Sequence, residues 1–452
     1  MSSNSLRRQL AHGGVLALTV RVSSAIASYL MYVVLARILG PESFGLYGFA
    51  FSIATFGAIV AGLGLPVLVL KYIPIYQHER SMLLRDGLVR DGRLVTLCAG
   101  IICALVIAGT NRLWPFFGTS SGTAGSGYVF WTLALMIGIA LANYHANVLR
   151  GFSKILAAMA PYDVLWRIGV IIAFLWLSKA GIGMTAADAL EISVLVLFGA
   201  LAIQTFADPS IHPKQYVRFG LRTNWRLWKR ESTGLWGVAV TQAAGTNLSV
   251  VVLGLVLAPE QTGPFFAALK TSSLLALPLV AGNLVAAPYI SRYYEAGDIS
   301  NVQLITNSIV VGLTVPVVIG FSTIVLFGDV VLSLFGDGFA VASPALVLMS
   351  FGTLINALCG PTAVVLNMTG HQRENFTIML VTQLVSLAIL PIATLLFGML
   401  GAAATVAMGM ASWNIWIWWW SKKNLSIDPT ILAILGKFVR AIRKPSPDDV
   451  RR

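Results

Sequence analysis

Twelve stretches of about 20 mostly apolar residues follow one another along this chain, and each can cross the hydrocarbon core of a membrane as a helix. Short polar connectors separate most of them, and none is long enough to form a soluble domain. Hydrophobic residues make up 57% of the 452 residues and charged residues only 11%, against roughly 25% charged in soluble domains. The sequence therefore predicts an all-α integral membrane protein with about 12 transmembrane helices.

The predicted spans fall into two groups of six. Those of the first half are 13–36, 46–70, 94–114, 128–149, 157–178 and 187–207. Those of the second half are 233–257, 263–290, 304–327, 343–366, 376–397 and 400–420. We therefore predict an N-terminal bundle at 1–210, a basic linker at 211–232, a C-terminal bundle at 233–421 and a basic tail at 422–452. In the tail, apolar residues at helical spacing fit an amphipathic helix on the membrane surface, with a solvated segment as the alternative.

The positions of Lys and Arg predict the orientation of the chain. Twenty-five of the 31 lie on segments facing the same side as the N-terminus, three on the opposite loops and three inside spans. Short cytoplasmic loops hold the excess of basic residues, so both termini are predicted to be cytoplasmic. The net charge of +13 is dispersed between apolar spans, which favours membrane lipids over nucleic acid as its partner.

An internal repeat relates the two halves. The stretches 39–47 and 257–265 both fit the pattern L-x-P-E-x-x-G-x-aromatic, at an offset of 218 residues. Each copy lies between the first two helices of its half, where Pro ends one helix and Gly permits a tight reversal. Because six helices precede the second copy, the halves insert in parallel. That arrangement predicts a central cavity between them that binds the transported substrate.

The first copy of this pattern carries a family resemblance. The run Leu35-Ala-Arg-Ile-Leu-Gly-Pro-Glu-Ser-Phe-Gly-Leu-Tyr47, with 64–66 and 71–74 after it, resembles the polysaccharide transporter (O-antigen flippase) family. That family belongs to the multidrug/oligosaccharidyl-lipid/polysaccharide exporter superfamily. The motif residues of the turn are Arg37, Gly40, Pro41, Glu42 and Gly45.

The resemblance implies a function and partners. It implies a flippase that moves polyprenyl-diphosphate-linked oligosaccharides across the bacterial cytoplasmic (inner) membrane, for O-antigen, lipopolysaccharide or exopolysaccharide biosynthesis. The implied partners are the lipid-linked oligosaccharide and membrane lipids, with a polysaccharide polymerase and other assembly proteins as further candidates. We expect no enzymatic activity, no cofactor and no metal site. A multidrug or small-solute exporter of the same superfamily is the alternative, and a membrane polysaccharide polymerase or ligase is a third reading.

Three basic residues lie well inside the apolar spans: Arg21, Arg167 and Lys270. A cation near the bilayer centre costs at least about 2.5–3.5 kcal/mol, so it is rarely found there without a partner or a function. Few acidic residues accompany these three, which indicates an anion supplied from outside the chain. Arginine suits a diphosphate because its planar guanidinium binds phosphate through two hydrogen bonds. Multidrug exporters of the superfamily commonly place a carboxylate in the first helix, where this chain has Arg21.

Polar residues at helical spacing extend these cationic positions into three stripes. The predicted substrate-binding residues are Arg21, Ser24, Ser28 and Tyr32 in the first span, Gln242, Thr246 and Ser249 in the seventh, and Lys270 and Ser273 in the eighth. For Arg21 and Lys270, structural pairing or snorkelling to the interface is the alternative. Asp163 lies four residues before Arg167, a spacing that predicts an ion pair on one helix face, with coupling to a proton or Na⁺ as the alternative.

Overall fold

The structure, a computed structural model, describes residues 3–109, 126–181, 183–206 and 223–434, with side chains described from residue 19. Fourteen α-helices make up most of these ranges, and no β-strand occurs in them. The first seven are α1 Ser3–Ala61, α2 Leu65–His78, α3 Met82–Gly109, α4 Ser126–Gly151, α5 Ile155–Met159, α6 Trp166–Lys179 and α7 Ala186–Phe206. The others are α8 Trp225–Val256, α9 Pro259–Leu274, α10 Leu277–Glu295, α11 Ile299–Ser333, α12 Ser343–Cys359, α13 Thr362–Met368 and α14 Gln372–Leu425.

Ten helical stretches in the described part of the chain are long and apolar enough to cross a membrane. Two of them are each interrupted by one non-helical glycine, Gly40 in α1 and Gly398 in α14. Each interruption separates two predicted spans, so each of the twelve predicted spans has a helical counterpart in the described part of the chain. The prediction of an all-α, multi-pass membrane protein is confirmed.

The helix boundaries differ from the predicted ones at several points. The eighth span, predicted as 263–290, is broken between Leu274 and Leu277, and the tenth, predicted as 343–366, is broken between Cys359 and Thr362. The second span, predicted as 46–70, is broken at 62–64, where Leu63 and Gly64 have positive φ values of 48° and 74°. The helix then restarts as α2 with Pro66 in its first turn, where the missing N–H of proline costs nothing. The seventh span begins at Trp225, inside the predicted linker 211–232, because Trp228 is fully buried and its indole N–H donates to the Tyr76 hydroxyl at 2.9 Å.

Two compact units divide the chain. Unit 1 contains the described part of Met1–Ala267 together with Ser333–Phe339. Unit 2 contains Ala268–Leu332 and the described part of Ala340–Arg452. Unit 1 thus includes α8, which the sequence assigns to the C-terminal bundle. The predicted bundles at 1–210 and 233–421 describe the sequence repeat and stay a prediction, and the tail beyond residue 434 lies outside the described residues.

An aromatic cluster forms part of the core of unit 1. Phe44 of α1 packs against Phe266 of α9 at 5.5 Å between ring centroids, and against Phe339 at 5.7 Å. Phe335 joins the cluster through Phe44 at 6.4 Å and Tyr29 at 5.4 Å. The stretch Ser333–Phe339 therefore belongs to unit 1 because its two phenylalanines are fully buried among these rings.

A short turn after α14 is held in place by Asp428 of unit 2. The Asp428 carboxylate accepts hydrogen bonds from the Trp418 indole at 2.9 Å and the Thr430 hydroxyl at 2.7 Å, and it pairs with Lys422 at 3.0 Å. Its backbone N–H donates to the side-chain oxygen of Gln303 on α11 at 2.8 Å. Ile427 beside it is fully buried in the core of the unit. The chain after the last span is thus fixed back onto unit 2.

Replacing Asp428 with asparagine is expected to lower the stability of unit 2 by about 1–3 kcal/mol, because a charged hydrogen-bond acceptor is lost. Burial raises the pKa of this carboxyl, but hydrogen bonds from Thr430, Lys422 and Trp418 lower it more, and the net pKa lies below its ordinary value of 3.8. A lowered pKa contributes stability above pH 3.8, and that stability is lost as the pH falls through the folded-state pKa.

The measurement is the apparent unfolding temperature of the purified protein between neutral pH and about pH 3. The asparagine variant should unfold at a lower temperature than wild type at neutral pH, and this difference should shrink in acid. The control is Asp329→Asn in α11, where the carboxylate is exposed. Equal unfolding temperatures of wild type and the Asp428 variant at neutral pH would contradict the prediction.

Candidate functional site

The polar stripe of α1 is exposed at Arg21 and buried at Tyr32. Arg21 is exposed, and Ser24 and Ser28 are half-buried, with the Ser28 hydroxyl donating to the Ser24 carbonyl at 2.7 Å. Tyr32 is only 7% exposed, and its ring packs edge-on against Phe51 at 6.0 Å and Phe266 at 5.4 Å. Arg21 can therefore reach a ligand directly, whereas Tyr32 becomes accessible only if these helices move apart.

The stripe on α8 shows the same gradient, and α8 packs against α1 within unit 1. Gln242 and Thr246 are exposed, whereas Ser249 is 2% exposed and its hydroxyl donates to the Thr246 carbonyl at 3.5 Å. The sequence stripe did not include Asn247, whose buried amide donates to the Ala243 carbonyl at 2.9 Å and to the Thr246 hydroxyl at 3.2 Å. This contact orients the Thr246 hydroxyl on the exposed face of the helix.

The third stripe belongs to unit 2. Lys270 of α9 is half-buried, and Ser273 is exposed and donates its hydroxyl to the Lys270 carbonyl at 2.6 Å. The stripes on α1 and α8 thus share unit 1, and the Lys270 pair lies on the other unit. The role of all three stripes in substrate binding stays a prediction.

The predicted side-chain pair between Asp163 and Arg167 is corrected by the structure. The Arg167 guanidinium donates instead to the backbone carbonyls of Tyr162 at 2.9 Å and Asp163 at 2.6 Å. The reason is a π-helical turn at Ala160–Leu165, between α5 and α6. Such a turn shifts the register by which side chains four residues apart meet, and it changes the pattern of backbone hydrogen bonds.

The carboxylate of Asp163 has a different partner, which the sequence analysis missed. The closest approach is 3.6 Å, between a terminal nitrogen of Arg150 at the end of α4 and an Asp163 oxygen. Arg167 lies beside it through its hydrogen bond to the Asp163 carbonyl, and Arg21 is brought near because Val20 packs in one core cluster with Leu149 and Val164. The sequence placed Arg150 in a cytoplasmic connector, and only Pro161 within the fifth span signalled an irregular helix at this point. Three arginines and one carboxylate therefore form a cluster in unit 1.

The first copy of the turn motif, at 39–47, packs against the second copy, at 257–265. Gly40 has φ 74° and ψ 173°, and Pro41 starts the next helix directly. A Cβ built on Gly45 would overlap the carbonyl oxygen of Pro259, and a Cβ built on Gly263 would overlap that of Pro41. The two repeat-related glycines thus let the start of the second half of α1 and the start of α9 meet at backbone contact.

The remaining motif residues flank this contact. The Arg37 side chain donates through Nε to the Leu334 carbonyl at 2.7 Å, at the start of the stretch with the two buried phenylalanines. Glu42 is half-buried. The sequence analysis expected proline to end a helix and the motif glycine to make the reversal. The structure instead breaks the helix at Gly40, starts the next one at Pro41, and uses Gly45 for packing.

The sequence of this chain matches a known protein family. The family described as polysaccharide biosynthesis protein matches residues 10–294, which is more than half of the chain. The chain belongs to this family. No curated protein matches the sequence of this polysaccharide biosynthesis family member. The resemblance found in the turn motif is thereby confirmed at the level of the family.

Several solved structures share the fold of this family member. An inward-facing multidrug resistance MATE family transporter of the MOP superfamily matches 91% of this chain and 98% of its own, at 16% identity and a TM-score of 0.70. Lipid II flippase MurJ in its inward closed conformation matches 90% of this chain and 87% of its own, at 15% identity and a TM-score of 0.70.

A third structure comes from Pyrococcus furiosus. This MOP superfamily transporter, whose binding pocket is described as reversed in polarity, matches 92% of this chain and 94% of its own. The identity is 15% and the TM-score 0.61. At such identities the likeness establishes the fold, which is the fold of MOP superfamily transporters.

Proposed function

We propose that this chain is a flippase that moves polyprenyl-diphosphate-linked oligosaccharide units across the bacterial cytoplasmic membrane for surface or exopolysaccharide biosynthesis. The observation that carries the proposal is the match to the polysaccharide biosynthesis family over residues 10–294, on a chain with a transporter fold. A polysaccharide pathway needs its membrane-bound intermediates moved to the outer leaflet, and a multi-pass membrane protein suits that step. Alternating access is the mechanism expected for a transporter built from two repeats.

The chemistry of the substrate agrees with the positions of the charged residues. A lipid diphosphate is anionic and is joined to a glycan rich in hydroxyl groups, so crossing the hydrocarbon unaided would remove water from both. Fixed cations and hydroxyl groups within the spans replace part of that hydration. Arg21, exposed on α1 beside two half-buried serines, provides this combination.

A multidrug or small-solute exporter is the second candidate, favoured by the equal TM-score of the MATE transporter. The chemistry of the first span argues against it, because residues 3–39 contain no Asp or Glu to bind a cationic drug or coupling cation. A membrane polysaccharide polymerase or ligase has less support, because the similar solved structures reported above are a transporter and a flippase. We therefore propose a non-enzymatic role.

The remaining expectations follow from this proposal. The chain would lie in the inner membrane with both termini in the cytoplasm, as the distribution of basic residues predicts. A polysaccharide polymerase and other assembly proteins would act on the same intermediates after export.

Deleting the gene is expected to leave the polyprenyl-diphosphate oligosaccharide in the membrane, because its synthesis continues while its export stops. Mass spectrometry of the lipid extract would detect it, and restoring the wild-type gene should remove it. A strain with unchanged lipid-linked oligosaccharides and altered drug resistance would instead support the exporter.

A further inference from the structure

The arginine cluster of unit 1 brings together residues from three separate helices. Arg21 lies on α1, Arg150 ends α4, and Arg167 lies in the first turn of α6. Arg150 approaches the Asp163 carboxylate to 3.6 Å, and Arg167 donates to the Asp163 carbonyl. Arg21 reaches the same region, because its neighbour Val20 packs in one core cluster with Leu149 and Val164, which precede Arg150 and follow Asp163. Arg21 is far from the other residues in sequence, so the fold brings it to them, and the cluster combines two intramembrane cations with an acidic side chain.

The contact between Arg150 and Asp163 is loose. Its 3.6 Å separation exceeds the roughly 2.7–2.9 Å of a strong hydrogen bond between a guanidinium and a carboxylate. The Nε atom of Arg150 is buried without a hydrogen-bond partner in the described part of the chain. The side chains are nevertheless 31% and 17% exposed for Arg150 and Asp163, so a ligand can approach both. Arg150 therefore has hydrogen-bonding capacity that Asp163 does not satisfy.

Arg167 is held more firmly than Arg150. Both of its backbone hydrogen bonds use the same terminal nitrogen, and its guanidinium lies 5.4 Å from the ring centroid of Trp166. The π-helical turn supplies the two accepting carbonyls. Because these contacts orient the guanidinium, its other N–H groups can donate to a ligand with little loss of conformational entropy.

The charge of the cluster matches that of one particular ligand. Three guanidinium groups and one carboxylate leave a net charge of +2, which is costly to keep in a partly buried site without an anion. A diphosphate that links a lipid to a sugar carries two negative charges at neutral pH. Its oxygens accept the paired hydrogen bonds that guanidinium groups donate.

Resting on the function proposed above, we propose that Arg21, Arg150 and Arg167 bind the diphosphate of the substrate, with Asp163 as a counter-ion that the diphosphate displaces. When no substrate is bound, Asp163 holds the cluster together and lowers the cost of its positive charge. When the diphosphate arrives, it takes over the arginines and repels the carboxylate. Asp163 therefore weakens binding and favours release, as transport requires.

The experiment measures diphosphate binding by the purified full-length protein with isothermal titration calorimetry. The probes are farnesyl diphosphate and inorganic diphosphate. Asp163→Asn is expected to bind at least about tenfold more tightly than wild type, because the competing anion is removed. Arg150→Gln and Arg167→Gln are expected to bind at least about tenfold more weakly. The control, Lys179→Gln, removes an exposed cation at the far end of α6 and should bind as wild type does.

Tighter binding in the asparagine variant separates a counter-ion from a purely structural ion pair, whose loss would leave binding unchanged or weaker. If a glutamine variant does not fold, Arg150→Lys keeps the charge, loses the planar fork and should still weaken binding, whereas Asp163→Glu should bind as wild type does. If the variants change the affinity for both farnesyl diphosphate and inorganic diphosphate, the site binds diphosphate itself. If they change the affinity for farnesyl diphosphate alone, the site binds a lipid diphosphate. Asp163→Asn binding neither probe more tightly would overturn the inference.

The experiments distinguish a failure of the counter-ion inference from a failure of the proposed function. Unchanged binding in the Asp163 variant, with lipid-linked oligosaccharide accumulating in the deletion strain, would overturn the counter-ion alone. The expected binding changes without any accumulation in that strain would overturn the proposed substrate and keep the diphosphate site.

Discussion

Replacing Arg21 with alanine is expected to reduce surface polysaccharide by at least about 30-fold, because a guanidinium that loses its water against the bound diphosphate would contribute roughly 2–5 kcal/mol. Arg21 is exposed on α1 and lies in the cluster around Asp163, so the substituted side chain is one that a ligand can reach. The measurement is polysaccharide extracted from the cell surface of a deletion strain that carries the variant. The amount of protein in the membrane is determined in the same cells.

Two further variants define what Arg21 contributes. Arg21→Lys keeps the positive charge but loses the planar fork, so it should retain part of the export. Lys179→Ala removes a cation at the exposed end of α6 and should leave export unchanged. Normal polysaccharide from the alanine variant, at normal protein level, would remove Arg21 from the mechanism.

Replacing Gly45 with alanine is expected to destabilise unit 1 by about 1–3 kcal/mol, the usual cost of overpacking. The new methyl group would meet the Pro259 carbonyl and the Gly263 nitrogen, which are backbone atoms and cannot rotate away. The two helices would therefore have to separate. The measurement is the apparent unfolding temperature of the purified protein, together with polysaccharide export in cells.

The duplication of the motif supplies an internal test of this explanation. Gly263→Ala should have a similar effect, because its methyl group would meet the Pro41 carbonyl. The double variant should cost less than the sum of the two single variants, since helices separated by one methyl group already accommodate the other. The control is Gly234→Ala on α8, where a Cβ meets nothing within 4 Å and alanine should stabilise the helix by up to about 1 kcal/mol. Strictly additive losses would contradict a shared contact.

The membrane spans were predictable because their length and apolar composition are local properties. A turn within 39–47 was predictable for a similar reason, since proline interrupts a helix in any surroundings, but the sequence did not show that the break falls at Gly40. The start of α8 was not predictable. Trp225 precedes the apolar run, and the helix reaches it because Trp228 is buried against residues far away in sequence.

The candidate site was predictable only in part. Arg21, Ser24 and Ser28 are accessible or half-accessible, and their role in substrate binding stays a prediction, whereas the spacing could not show that Tyr32 is buried among aromatic rings. The partner of Asp163 depends on the π-helical turn and on Arg150 of another helix, and neither is visible in a local pattern.

The contact between the two copies of the turn motif was also predictable only in part. The sequence shows the repeat, in which Gly45 and Gly263 occupy equivalent positions at a constant offset. Their mutual approach depends on how two distant helices cross, which spacing within one helix does not specify. Repetition therefore identified the residues, and only the tertiary structure explained why both must be glycine.

The most direct test of the central claim uses purified protein in liposomes and follows a fluorescent polyprenyl-diphosphate oligosaccharide from one leaflet to the other. Wild-type protein should move the lipid across, whereas Arg21→Ala, reconstituted in equal amount, should move it at close to the rate of protein-free liposomes. Equal rates for wild type and the variant would contradict a cationic path for the diphosphate. No movement with folded wild-type protein, under an imposed proton or sodium gradient or without one, would contradict the proposed substrate.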